Sequence, residues 1–159
     1  MRVRIGYDVH KLEAQEELIL GGMEIDCPFG LAGHSDADVL IHAIMDALLG
    51  AIAAGDIGSH FPDDDPQYKG ASSLVLLEQV INLVKKEGYL LNNLDTVVAA
   101  QKPKLAPYIK QMEANISSCL QVKKERINVK ATTTEKLGFV GREEGISAQA
   151  IVTLKESGK

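Results

Sequence analysis

The sequence predicts a single α/β domain in which helices cover a mixed β-sheet. Apolar residues make up 45% of the 159 residues and charged residues 25%, which is ordinary for a globular domain with a substantial core. Segments that alternate like strands are interspersed with segments whose apolar residues recur at helical spacing. Because no repeat, linker or low-complexity tract divides the chain, we expect residues 1–159 to form one domain.

The amino-terminal part of the chain predicts one strand followed by a hairpin. Residues 2–9 alternate roughly as a strand with one buried face does. Residues 17–26 contain two short β-type runs on either side of Gly21-Gly22, a pair that suits a turn or a bulge. We therefore expect a short amino-terminal hairpin in addition to the main sheet.

A long apolar helix is predicted over residues 36–54. Almost every position from Val39 to Leu49 is apolar, and the pattern Ser35-x-x-Asp38 resembles a capping box at the helix start. Residues 55–70 are dense in Gly, Pro and Asp, which predicts a loop after the helix.

The second half of the chain alternates helices and strands. Apolar residues recur at helical spacing in residues 72–87, with Ser72 or Ser73 as the N-cap and Gly88 as the stop. The remaining elements are a strand, a helix with Pro107 in its first turn, and two strands joined by a Gly-rich turn: 94–101, 106–120, 126–133, 146–154 and 138–145. This order predicts a mixed, mostly four-stranded sheet of the α/β (α+β) class.

Charge and cysteine usage narrow the class of protein. The net charge is −5 and the basic residues are scattered, which argues against nucleic-acid binding because that needs a basic surface. Cys27 and Cys119 are far apart and form no CxxC pattern, as expected in a reducing compartment. No signal-peptide pattern is present, and His42 and Asp46 interrupt the longest apolar stretch, so we expect a cytoplasmic protein that is not bound to a membrane.

Three side chains have the composition of an open zinc site. Asp8 and His10 are two residues apart on the predicted strand and share one of its faces, while His42 lies on the predicted helix. Taken alone, the pair Asp8 and His10 predicts no more than two solvated polar groups at a strand end. If the strand packs on the helix, the three side chains converge as a His₂Asp set with a fourth position free, which is typical of catalytic zinc.

Asp46 follows His42 by one helical turn. It is placed to accept the second ring N–H of His42 and so to fix the tautomer of a metal ligand. The alternative is an aspartate bound to the backbone or to a partner chain.

Two further segments contain groups that can bind phosphate. The start of the 36–54 helix offers free backbone N–H groups, and His34 and Ser35 stand beside it. Thr132 and Thr133 end a predicted strand, and Glu135 follows as a ligand for a hard cation such as Mg²⁺. The alternatives are a simple loop histidine and ordinary alternating strand residues.

Five segments together resemble the 2-C-methyl-D-erythritol 2,4-cyclodiphosphate synthase family over essentially the whole chain. They are YDVHKL, GHSDADVLIHAIMDALLGA, GDIGSHFPDDDPQYKGASS, AQKPKLAPY and INVKATTTEKLGFVGREEG. The resemblance implies conversion of 4-diphosphocytidyl-2-C-methyl-D-erythritol 2-phosphate into the cyclic diphosphate with release of CMP, a phosphorus–oxygen lyase reaction. It also implies a homotrimer with active sites between neighbouring subunits.

The resemblance assigns roles to individual residues. Asp8, His10 and His42 match zinc ligands, Glu135 matches the ligand of a second divalent ion (Mg²⁺ or Mn²⁺), and His34 and Thr133 match catalytic residues. In some members the residue at Arg142 also faces a cavity on the threefold axis that accepts an isoprenoid diphosphate. The substrate-binding residues implied by the resemblance are His34, Ser35, Asp56, Ile57, Gly58, Phe61, Pro62, Asp63, Asp64, Asp65, Ala100, Gln101, Lys102, Pro103, Lys104, Leu105, Ala106, Thr132, Thr133, Thr134, Phe139 and Arg142.

Such a reaction needs positioning and charge neutralisation more than a nucleophilic side chain, because the attacking phosphate oxygen is already anionic. Metal ions would bring the positive charge that an acidic chain lacks. Two other functions are compatible with the same residues: a zinc-dependent phosphohydrolase and a non-enzymatic trimer that binds an isoprenoid diphosphate. A phosphohydrolase would give an open phosphate product with water added, whereas the synthase gives a cyclic diphosphate and CMP. A non-enzymatic trimer would have no activity for the substitution His42→Ala to remove.

Overall fold

The strands form a five-stranded mixed sheet and a separate two-stranded sheet in the computed structural model, which describes residues 1–158. They are β1 (Arg2–Ala14), β2 (Leu18–Leu20), β3 (Met23–Ile25), β4 (Phe29–Leu31), β5 (Tyr89–Ala99), β6 (Ile127–Thr132) and β7 (Gly145–Glu156). The larger sheet has the order β4-β1-β7-β5-β6, and β2 pairs with β3 as the predicted hairpin. Only the β5–β6 pair within this described sheet is parallel, so the predicted mixed sheet of four main strands is confirmed, with short β4 added at one edge.

The long helices lie on one side of this sheet. The helices are α1 (Val39–Ala51), α2 (Ile57–His60), α3 (Ser73–Lys86), α4 (Ile109–Leu120) and α5 (Gly138–Gly141). Helix α1 packs against β1 and β7, α3 packs on α1, and α4 packs against β6. The core therefore lies between the sheet and α1, as expected for a helix that is apolar on nearly all sides. Within residues 1–158, no helix combines the length and the apolar character needed to span a membrane.

The side of β1 that faces away from α1 remains apolar and exposed. Successive strand residues point to opposite faces, so Gly6, Asp8 and His10 face the helix while the residues between them do not. Ile5 and Tyr7 are 61% and 52% exposed. Val3 and Val9 of β1 are also exposed, and so is Ile151 of the neighbouring strand β7. A contiguous apolar patch of this kind is characteristic of a surface that another chain covers.

Helix α1 starts later than predicted. Asp38 is the N-cap, because its side chain accepts the backbone N–H of Ile41 at 3.1 Å. The same carboxylate accepts the N–H groups of Gly21 and Gly22 from the hairpin turn, at 3.1 and 2.7 Å. The predicted capping box is therefore wrong: Asp38 stands at the cap itself, and Ser35 lies in the loop before it.

Other boundaries differ where a local irregularity hides the pattern. Strand β5 starts at Tyr89, five residues before the predicted start at residue 94. The sequence does not reveal these first residues because a bulge between Leu91 and Asn93 interrupts the strand alternation. Strand β4 was not predicted, since it has three residues with Gly30 at its centre. The loop 55–70 contains α2 and a 3₁₀ turn at Pro66–Tyr68. Helix α3 begins at Ser73 with Ser72 as its N-cap, as predicted.

Candidate active site

Asp8, His10 and His42 converge at the end of β1, as the sequence predicts. The Oδ2 atom of Asp8 lies 2.8 Å from Nε2 of His10 and 3.1 Å from Nδ1 of His42. The two ring nitrogens are 3.1 Å apart. Among the described residues this is the group of His, Cys, Asp and Glu side chains that could hold a metal ion.

The tautomer of His10 is fixed by the main chain. Its Nδ1 atom lies 2.8 Å from the carbonyl oxygen of Ala32. A carbonyl oxygen only accepts, so Nδ1–H donates, and in the neutral ring the lone pair is on Nε2, which faces Asp8 and His42. His10 is thus in the tautomer that a metal ligand requires.

The electrostatics of the cluster favour a cation at its centre. Burial alone would raise the pKa of Asp8, but hydrogen bonds from His10 and His42, with their charge, hold it well below its usual range. Burial likewise opposes charge on His10, yet the Asp8 and Ala32 hydrogen bonds and the nearby carboxylates raise its pKa. A carboxylate that remains ionised beside two imidazoles in a partly buried pocket attracts a proton or a metal ion.

The structure does not support the predicted contact between Asp46 and His42. The Nε2 atom of His42 lies 3.0 Å from Oγ of Ser73 and 3.1 Å from Oγ of Ser35. Asp46 instead takes the backbone N–H of Ile57, and burial raises its pKa. Two serines from other segments fill the space around His42 Nε2, and a helical pattern cannot show this.

A cavity of about 380 Å³ opens beside the cluster. The predicted substrate residues among those that line it are His34, Ser35, Ile57, Gly58, Phe61 and Asp63. The Nε2–H of His34 donates to the carbonyl oxygen of Asp65 at 2.8 Å, which ties the loop to the start of α1. Asp56 instead caps α2 through Ser59, and this contact lowers its pKa. Pro62 and Asp64 belong to the same loop but do not line the cavity.

A second cavity of about 450 Å³ lies at the ends of β5 and β6. It brings together all of the residues predicted for the cytidine pocket and the first two threonines: Ala100, Gln101, Lys102, Pro103, Lys104, Leu105, Ala106, Thr132 and Thr133. Thr134 lies outside this lining and donates its hydroxyl to Leu137. Glu135 is exposed, and its Oε1 accepts the hydroxyl of Thr133 at 3.3 Å.

The two cavities share no lining residue. The strand register nevertheless places them at the same end of the sheet: Asp8 pairs with Ala148, Ala148 with Val98, and Val98 with Ala131. Three strand spacings separate Asp8 from Ala131, about 14 Å. Each chain therefore carries two separate pockets, the metal-type cluster with its cavity and the pocket at the ends of β5 and β6, here named the two half-sites.

Phe139 and Arg142 line neither of these two cavities. Phe139 lines a third cavity of about 600 Å³, which shares Val9 and His10 with the first cavity. The Nε–H of Arg142 donates to Glu144 at 2.6 Å on the surface beside this cavity.

The fold and the metal-type cluster are those of a known protein family. The model of the YgbB family matches residues 1–155, and the chain belongs to that family. Among its relatives, a protein from Agathobacter rectalis is 64% identical over 154 residues, which are 97% of this chain and 87% of the relative. That relative is named 2-C-methyl-D-erythritol 2,4-cyclodiphosphate synthase. The family predicted from the five segments is thereby confirmed.

Solved structures agree with the fold. A 2C-methyl-D-erythritol-2,4-cyclodiphosphate synthase in a CDP-bound form is 36% identical, with a TM-score of 0.89 over 97% of this chain and 100% of that one. The bifunctional IspDF from Campylobacter jejuni is 46% identical with a TM-score of 0.94. This chain is covered to 98% in that comparison and spans 42% of the bifunctional protein.

Proposed function

We propose that the chain converts 4-diphosphocytidyl-2-C-methyl-D-erythritol 2-phosphate into 2-C-methyl-D-erythritol 2,4-cyclodiphosphate and releases CMP. The observation that carries this proposal is the convergence of Asp8, His10 and His42 at a cavity lined by His34 and Ser35. The relative of this name at 64% identity and the CDP-bound homologous structure support the same function.

The reaction forms one P–O bond and breaks another. An oxygen of the 2-phosphate attacks the β-phosphorus, and the bond from that phosphorus to the bridging oxygen breaks, so that CMP leaves with the bridging oxygen. The attacking oxygen is already anionic, so no serine or cysteine nucleophile is required. The main barrier that the protein must lower is the repulsion between the two phosphate groups.

The ligand set fits zinc. Ligand atoms bound to one tetrahedral ion at ~2.1 Å lie about 3.4 Å apart, close to the spacings in this cluster, and the set leaves a fourth position for an oxygen. A zinc ion held by Asp8, His10 and His42, and a second divalent ion held by Glu135, would supply positive charge to the diphosphate.

The chain's own donors complete the charge balance. The Nε2–H of His34, which here donates to the carbonyl of Asp65, is available to a phosphate oxygen when that carbonyl moves away. The hydroxyl of Ser35 lines the same cavity. In the second half-site, Thr133 offers its hydroxyl and Lys104 its ammonium group beside the pocket assigned to cytidine.

We also infer a homotrimer with active sites between subunits. One substrate must reach both half-sites, which are separate within a chain. The exposed apolar face at Ile5, Tyr7 and Ile151 gives neighbouring copies a surface to bury. In such a trimer the third cavity, with Phe139 and nearby Arg142, is the place for an isoprenoid diphosphate. The two cysteines are unpaired, which supports a cytoplasmic location.

Phosphorus NMR of the purified protein with the cytidyl substrate, Zn²⁺ and Mg²⁺ tests the function. We expect signals of the cyclic diphosphate and of CMP, and loss of both when a chelator is present. Running the reaction in ¹⁸O-labelled water separates the alternatives. A phosphohydrolase places ¹⁸O in its product, whereas intramolecular cyclisation leaves the new ring unlabelled, so label in the product would overturn the proposal.

A further inference from the structure

The second nitrogen of His42 is held by a chain of two buried or half-buried side chains. Nε2 of His42 lies 3.0 Å from Oγ of Ser73, and the Ser73 hydroxyl donates to Oδ1 of Asp36. Ser73 is fully buried, so it cannot reach a substrate. These contacts join the loop before α1, the first residue of α3 and a residue of the metal-type cluster.

The direction of each hydrogen bond follows from counting hydrogens. An ionised carboxylate only accepts, so the single hydroxyl hydrogen of Ser73 goes to Asp36. The contact between Ser73 and His42 must then run the other way, with Nε2–H of His42 donating to Oγ. A neutral His42 with its hydrogen on Nε2 has its lone pair on Nδ1, the atom that faces Asp8 and His10.

Asp36 is held in place as an acceptor. Its Oδ2 accepts the backbone N–H of Ser73 at 2.9 Å, and its Oδ1 accepts the N–H of Asp38 at 3.2 Å. The N-cap of α3, Ser72, makes no capping hydrogen bond with its own side chain, so Asp36 serves that helix start instead. The positive end of the helix dipole adds to the stabilisation of the carboxylate.

Ser35 does not decide the tautomer. Its hydroxyl oxygen is 3.1 Å from Nε2 of His42 and accepts the N–H of Ala37 at 3.3 Å, so its own hydrogen is uncommitted. If Nε2 carried a lone pair, that lone pair would face the lone pairs of the Ser73 oxygen at 3.0 Å. On this side of the ring, the Asp36–Ser73 pair therefore favours a hydrogen on Nε2 of His42.

We propose that Asp36 and Ser73 are positioning residues that lock His42 in the tautomer with the hydrogen on Nε2, and so present Nδ1 to the metal. The inference rests on the metal-binding role of the cluster in the proposed function. Outer hydrogen-bond partners of this kind set the ring orientation and basicity of a ligating histidine, and their loss typically weakens metal binding about 10–100-fold.

The test compares Ser73→Ala with the wild type and with Ser117→Ala. Ser117 is a buried serine of α4 whose hydroxyl contacts only its own helix at Ala114, so it controls for the loss of a buried hydroxyl. In zinc-loaded protein, nitrogen-15 NMR detects the Nε2–H of His42 and measures how fast its hydrogen exchanges with water. We expect a slowly exchanging Nε2–H in the wild type and in Ser117→Ala, and clearly faster exchange in Ser73→Ala, which lacks the acceptor oxygen.

Zinc affinity, measured by competition with a coloured chelator, gives the second result. We expect Ser73→Ala to bind zinc about 10–100-fold more weakly than Ser117→Ala, and Ser73→Thr, which keeps the hydroxyl, to recover most of the loss. Unchanged hydrogen exchange with unchanged affinity in Ser73→Ala would overturn the proposal. If Ser73→Ala does not fold, Asp36→Asn is measured in its place: its amide can donate to Ser73 and release the hydroxyl hydrogen towards His42, so the same two effects are expected. A wild type that binds zinc but forms no cyclic product would refute the proposed function, while the affinity and exchange measurements would still decide the roles of Asp36 and Ser73.

Discussion

Gly6 of strand β1 lies directly against the main chain of helix α1 at Ala43. A Cβ atom at Gly6 would stand 2.0 Å from the carbonyl oxygen of Ala43 and 2.7 Å from the backbone nitrogen of Ala47. Gly6 precedes Asp8 by two residues on the same face of the strand, and Ala43 follows His42 in the helix. The absence of a side chain at Gly6 is thus what lets the two halves of the metal-type cluster approach each other.

Replacing Gly6 by alanine should therefore damage both the fold and the cluster. The new methyl group meets backbone atoms that cannot turn aside, so the helix must move away from the strand. We expect a loss of about 1–3 kcal/mol in the free energy of unfolding, the usual cost of overpacking, together with at least tenfold weaker zinc binding. Urea unfolding and chelator competition measure the two effects.

Gly50→Ala is the matched control for this change. Gly50 lies in helix α1, the helix that Gly6 packs against, and a Cβ at Gly50 would meet only the side chain of Arg4, at 3.9 Å. Alanine at that position should leave zinc binding unchanged and stabilise the helix slightly, by about 0.5–1 kcal/mol. Equal behaviour of the Gly6 and Gly50 variants would refute the close-approach argument.

His42→Ala should remove the metal and the activity together. One ligand of three is lost, so the zinc content of the purified protein should fall well below that of the wild type, and kcat should fall about 10²–10⁴-fold, corresponding to several kcal/mol of lost charge stabilisation. Elemental analysis and the phosphorus NMR assay check the two parts. His60→Ala is the control, since His60 contacts the carbonyl of Ala54 and lies outside the cluster. Full activity in zinc-free His42→Ala would show that the cluster has no catalytic role.

The sequence predicted the cluster because its members follow simple periodicities. Asp8 and His10 share a strand face at a spacing of two, and His42 stands out as polar in an apolar helix. Ser73 and Asp36 carry no such signal: they are 37 residues apart, and their contact depends on where the start of α3 lies relative to the loop before α1. Asp46 was placed by helical spacing alone, which gives a position along the helix but not what surrounds the ring of His42.

Asp38 should make the protein less stable as the pH rises from about 4 to 6. Burial raises the pKa of Asp38 to about 6, although the N–H groups of Gly22 and Ile41 act to lower it. The native state therefore holds this proton more tightly than the unfolded chain, and its stabilising effect, complete below the unfolded value of 3.8, is lost as the pH rises through the native value. The loss is on the order of 3 kcal/mol.

The measurement is the pH dependence of the free energy of unfolding in the wild type and in Asp38→Asn, with a chelator present throughout so that metal binding does not contribute. The asparagine cannot ionise, and its altered hydrogen bonds shift the curve by an amount that does not vary with pH. The wild type should therefore lose stability relative to Asp38→Asn between pH 4 and 7. A difference that stays constant, or changes in the opposite direction, would contradict the assignment.

Mixing two inactive variants should restore activity if the half-sites come from different chains. His42→Ala disables the metal-type cluster and Glu135→Ala disables the ion site assigned to the other half-site, so each variant alone should form the cyclic product at no more than about 1% of the wild-type rate. After co-expression at equal levels, about one quarter of the sites combine an intact cluster from one chain with an intact second half-site from its neighbour, and about a quarter of wild-type activity is expected. The control is the double variant co-expressed with the wild type: shared sites again give about a quarter, whereas sites built within one chain give about a half. No recovery in the mixture of single variants, with one half in the control, would show that each chain completes its own site.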